Sequence, residues 1–133
     1  MTNLILGIAM SLGFIGACVA LVGRYRILPA FLTGPNICKL EAGGCQALFR
    51  TPTAALLGIP NSALAVLYYP VLAVGLIFHQ PFFLLWGIAS LALVMTLYLA
   101  WRLVKDNLEC RICWTGHICN TVIWLILFIH LLP

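Results

Sequence analysis

Residues Pro81 to Trp101, PFFLLWGIASLALVMTLYLAW, run for 21 positions without an Asp, Glu, Lys or Arg. A helix rises 1.5 Å per residue, so about 20 residues cover the roughly 30 Å hydrocarbon core of a bilayer. Three more stretches share this property: Asn3 to Val22, Ala54 to Phe78 and Trp114 to Pro133, with 20, 25 and 20 residues. None alternates polar with apolar at period two, and lipid admits only helices or closed barrels. The chain therefore reads as an all-α membrane protein, a four-transmembrane-helix bundle. Composition agrees, since 64% of the 133 residues are hydrophobic and 8% charged, which excludes an ordinary soluble domain. With no repeat, residues 1–133 form a single expected integral-membrane domain. The first stretch lacks a basic n-region, so it is expected to be a retained helix rather than a cleaved signal.

The ten charged residues fall in two connections, five between Gly23 and Thr53 and five between Arg102 and Cys113. In a four-span chain these connections share one membrane face. All seven Lys and Arg lie there, so the positive-inside rule assigns that face to the cytoplasm of the cell membrane. Cations split between two short segments make no nucleic-acid surface, and lipid is the expected surrounding partner. Within the first connection, Gln46 to Gly58 is apolar but too short to span, and is expected to form a short half-helix at the interface. Pro60 suits the first position of the second helix, with Asn61 and Ser62 in its first turn and Pro70 as a kink.

The same two connections hold Cys38, Cys45, Cys110 and Cys113. Cys110-Arg-Ile-Cys113 stands at the start of the fourth helix, where the helix dipole and Arg111 favour thiolate. Cys110, nearer water, suits exchange with another disulfide, and Cys113, one turn deeper, a reactant inside the bundle. Cys38 and Cys45 form a second pair on a loop loosened by Gly43 and Gly44. Two other readings stand beside redox pairs. A four-thiolate zinc site is disfavoured by the six-residue gap between Cys38 and Cys45, so no metal is expected. Structural disulfides bracing a non-enzymatic four-span protein are the other alternative. Cys18 and Cys119 read as core fillers.

Cys113, His117 and Asn120 follow i, i+4, i+7 spacing and share one helix face. Polar side chains in a span either hydrogen-bond between helices or face a cavity. The sharper expectation is an apolar pocket beside a redox thiol, suited to a quinone whose carbonyl oxygens need donors, with Asn61 as a further donor.

These residues, with the segment Gly58-Ile-Pro-Asn-Ser62, the run Tyr98-Leu-Ala-Trp101, and Trp114-Thr115 after the Cys110-x-x-Cys113 pair, resemble the vitamin K epoxide reductase family. The order and spacing carry the resemblance over nearly the whole chain. Without a thioredoxin-like domain the chain looks like a compact prokaryotic member. The resemblance implies a quinone-dependent thiol–disulfide oxidoreductase that generates protein disulfides. Electrons would come from a thioredoxin-like partner and end on ubiquinone, menaquinone or a related quinone, at a site that in this family also takes coumarin-type inhibitors. It implies Cys113 as the thiol facing the quinone, Cys110 as its disulfide partner, and Cys38 and Cys45 as the shuttle pair, with Cys45 attacking Cys110. Asn61 matches the family's quinone-binding asparagine. His117 stands where vertebrate members have a tyrosine, and an imidazole can donate the same bond. Family members usually turn their cysteine loops outward, whereas the charge pattern here turns them inward. That departure suits a cell with cytosolic disulfides, such as a hyperthermophilic archaeon.

Overall fold

The computed structural model describes residues 1–33, 44–108 and 110–132. Four long helices dominate: α1 (Thr2–Tyr25), α4 (Asn61–Ile77), α5 (Phe82–Lys105) and α6 (Arg111–Ile129). Between α1 and α4 come the short helices α2 (Ala30–Thr33) and α3 (Gly44–Phe49), a 3-10 turn at Pro52–Ala54, and strands β1 (Ala55–Leu56) and β2 (Ile59–Pro60). Helices α1, α5 and α6 are long and apolar enough to cross a membrane, and α4 is a shorter apolar helix of 17 residues. In the bundle α1 packs against α4 and α6, and α5 packs chiefly against α6.

The outside of this bundle is as apolar as the inside. On α1, Leu4, Ile8, Leu12 and Ile15 point outward, while the inward face carries Ala9, Gly13 and Ala17. Small residues every fourth position let helix backbones approach closely, as membrane helix packing requires. At Gly13 an added Cβ would run into the hydroxyl and ring of Tyr69 on α4. The core around this contact includes Leu6, Met10, Leu72, Leu85, Ile123 and Leu127.

Chain reversals at both ends of α5 follow one rule. His79 (φ 52°) and Asn107 (φ 51°) adopt the left-handed conformation just past the ends of α4 and α5. The following N–H groups then reach back: Gln80 donates to the Gly75 carbonyl at 2.8 Å and Leu108 to that of Leu103 at 2.9 Å. Each satisfies a helix-end carbonyl that lacks a partner along the helix. Asn and His are among the side chains that tolerate this conformation best.

The connection before α4 departs from the expected half-helix. Only Gly44–Phe49 is α-helical. After the 3-10 turn at Pro52–Ala54 comes a hairpin with a two-residue turn, with Ala55 opposite Pro60 and Leu56 opposite Ile59. Leu57 (φ 51°) and Gly58 (φ 85°) make its turn, since two positive φ values match the twist of paired strands. Pro60 is accordingly the residue before α4 rather than its first member, and α4 runs unbroken through Pro70. Replacing Gly13 with Val should displace Tyr69 and destabilise the protein by about 1–3 kcal/mol, read as a lowered unfolding midpoint in detergent.

Candidate functional site

Cys110 is the N-cap of α6, and its sulfur takes the capping role that an oxygen usually fills. It accepts from the backbone N–H of Cys113 at 3.4 Å and from the Cys113 thiol at 2.8 Å. The donated thiol hydrogen bond chiefly, aided by the backbone N–H groups of Cys113 and Ile112, holds the Cys110 thiol below its ordinary pKa despite the opposing effect of burial. The preference for thiolate read from the helix start thus falls on Cys110.

The expectation that Cys110 lies nearer water is corrected. Its exposure is 0%, under a small apolar cluster with Leu28 and Phe49. The cover is held by polar ties between segments: the Arg24 guanidinium donates to the Phe49 carbonyl at 2.8 Å, and Arg50 Nε to the Arg24 carbonyl at 3.2 Å. Gly23 is needed for the close fit, because a Cβ there would meet Leu28 and Phe49 at 2.7 and 2.8 Å. Sequence spacing could not reveal this lid, since it depends on α3 folding back onto the end of α1.

Cys113 is half-buried and opens onto a cavity of about 520 Å³ between the four long helices. Asn61, His117 and Asn120 line the same cavity. Their hydrogen-bonding states differ. Among the described residues, both polar atoms of the Asn61 amide and Nε2 of His117 are buried without a hydrogen-bond partner. Asn120 has its amide engaged: the Tyr69 hydroxyl donates to Oδ1 at 2.8 Å, and Nδ2 donates to Thr96 Oγ1 at 2.9 Å. Asn120 therefore follows the interhelical alternative, tying α4, α5 and α6 together at the cavity wall.

Tyr68 and Arg102 also line the cavity, and each has a buried polar atom without a hydrogen-bond partner among the described residues. Sequence reading passed over both. The signal for Tyr68 was its position seven residues after Asn61, which returns to the same helix face. Cys38 lies outside the described residues, and of Cys45 only its place in α3 is described. Cys119 is buried in the main core as expected of a filler, and Cys18 is half-buried.

The Vitamin K epoxide reductase family matches residues 4–128 of the chain. The chain belongs to that family. No curated protein and no solved structure gives a match. Membership in the vitamin K epoxide reductase family makes the protein a membrane thiol–disulfide oxidoreductase, of a kind that works with a quinone. The cavity fits such a group. Its apolar walls suit a ring and tail, and the orphaned Asn61 amide and His117 nitrogen are the polar atoms that two carbonyl oxygens would engage.

Cys113→Ala removes the thiol that holds the Cys110 pKa down, whereas Cys113→Ser keeps a donor there. In the reduced protein the pH midpoint for Cys110 reactivity toward a small alkylating reagent should move upward in the Ala variant, because less thiolate is present at any given pH. It should stay lower in the Ser variant; coincident profiles would remove the hydrogen bond as the cause.

Proposed function

We propose that this protein oxidises the dithiol of a thioredoxin-like partner and delivers the electrons to a membrane quinone. The observation that carries the reading is the position of Cys113, which touches the Cys110 sulfur on one side and an apolar cavity with orphaned hydrogen-bond groups on the other. A purely structural bundle would leave those buried groups as uncompensated cost.

In this reading the four long helices all span the membrane. Helix α4 rises about 26 Å over its length, nearly the hydrocarbon thickness. Cys38 and Cys45 take electrons from the partner dithiol by exchange, and the Cys45 thiolate then attacks Cys110 when the inner pair is a disulfide. Reduced Cys110 and Cys113 close again to a disulfide, releasing two electrons and two protons. A quinone bound beside Cys113 would supply the acceptor for both the electrons and the protons. Asn61 and His117 orient that ring, and the apolar walls exclude water from the pair.

Cys113→Ser should lower quinone-dependent oxidation of a thioredoxin-like dithiol on the order of 1000-fold or more. Cys38→Ala should trap a Cys45–Cys110 link, seen as a shifted band on a non-reducing gel. Full activity in both variants would overturn the roles.

We also propose that the charged end of the bundle faces the cytoplasm. Arg24, Arg26, Arg50, Arg102, Lys105 and Arg111 cluster where α1 and α5 end and α6 begins. A membrane-impermeant maleimide applied to intact cells should then label a cysteine introduced at His79 and spare one introduced at Arg26. The opposite labelling would place the cysteine-bearing end outside.

A further inference from the structure

Two adjacent tyrosines on α4 meet different fates. Tyr69 also lines the cavity, but its hydroxyl packs over Gly13 and donates to Asn120. Tyr68 lines the cavity, and its hydroxyl is buried with no hydrogen-bond partner among the described residues. The two rings meet edge to face with centroids 5.0 Å apart, so Tyr68 is braced by a neighbour that is itself hydrogen-bonded. Phenylalanine would give nearly the same ring without an orphaned polar atom. A buried hydroxyl with no partner destabilises the protein that carries it, and such a group calls for an explanation such as a ligand.

We propose that the Tyr68 hydroxyl is a hydrogen-bond donor to the quinone ring, a third polar anchor beside Asn61 and His117. The inference rests on the function proposed above and deepens it. Asn61 and Tyr68 stand seven residues apart on one face of α4, about 10 Å along the axis. Asn61 lies in the first turn of α4, while the residue after Tyr68 bonds Asn120, two turns into α6. The orphaned groups therefore sit at two depths, which suits a ring with carbonyl oxygens on opposite edges. A quinone offers only acceptors, and its quinol offers donors as well. A hydroxyl and an amide can each play both parts, so the same side chains serve both forms of the ligand.

The test compares Tyr68→Phe with Tyr69→Phe in purified, oxidised protein in detergent, with a short-chain 1,4-naphthoquinone as the probe. Binding is read from the rise in melting temperature with probe concentration, a measure independent of turnover. Tyr68→Phe should leave the ligand-free melting temperature unchanged or higher, because it removes an unsatisfied hydroxyl. It should weaken probe binding about tenfold, the worth of one hydrogen bond. Tyr69→Phe should instead lower the ligand-free melting temperature, because it breaks the bond to Asn120. Wild-type affinity in Tyr68→Phe, or a loss of ligand-free stability in that variant, overturns the assignment while leaving the oxidoreductase reading intact. Absence of any probe-dependent rise in the wild-type protein overturns both.

Discussion

Helices immersed in hydrocarbon gain little by hiding apolar side chains from lipid, so polar contacts and close backbone fit must fix how they pack. Here that task falls to the chain of hydrogen bonds from Tyr69 through Asn120 to Thr96. Each link joins a different helix, and Tyr69 also fills the notch left by Gly13 on α1. Bonds of this kind in membranes contribute about 0.6–2 kcal/mol each. Their larger effect is geometric: they set the rotation of α4 and α6, and with it which residues face the cavity. Rotating α4 to break the Tyr69 bond would also carry Asn61 and Tyr68 off the cavity wall.

The same economy governs the two cysteines. A C-x-x-C at a helix start places its first sulfur at the N-cap and its second at the third helical position, where N-cap acceptors find their donor. The backbone N–H and the thiol of Cys113 both point at Cys110. Negative charge is thereby favoured on the sulfur under Leu28 and Phe49. Burial alone would push the Cys110 thiol the other way, so the donors must outweigh it.

Much of this arrangement was legible in the sequence because it depends on local pattern. Charge-free length gave the three long spans, and i, i+4, i+7 spacing brought Cys113 and His117 to one wall. The identity of the next-nearest polar partner was not legible. Asn120 shares that face with His117, yet its amide is engaged by Tyr69 and Thr96, residues 51 and 24 positions away. Tyr68 and Tyr69 are identical in type, adjacent and both on the cavity wall, yet among the described residues only the Tyr69 hydroxyl finds a hydrogen-bond partner. The hairpin before α4 escaped for a local reason, since its turn uses Leu57 where a left-handed residue is normally Gly, Asn or Asp.

The segment between α1 and α4 has a double position that follows from how short it is. Phe49 covers Cys110 and also belongs to the cavity wall, together with Leu48, Thr51, Ala54 and Leu56. One continuous stretch, tied down through Arg24 and Arg50, thus closes the outer approach to the Cys110 sulfur and one side of the chamber beyond Cys113. Phe49 therefore belongs both to the cover of the Cys110 sulfur and to the wall of the chamber, with its carbonyl held by a hydrogen bond from an arginine at the end of the first helix.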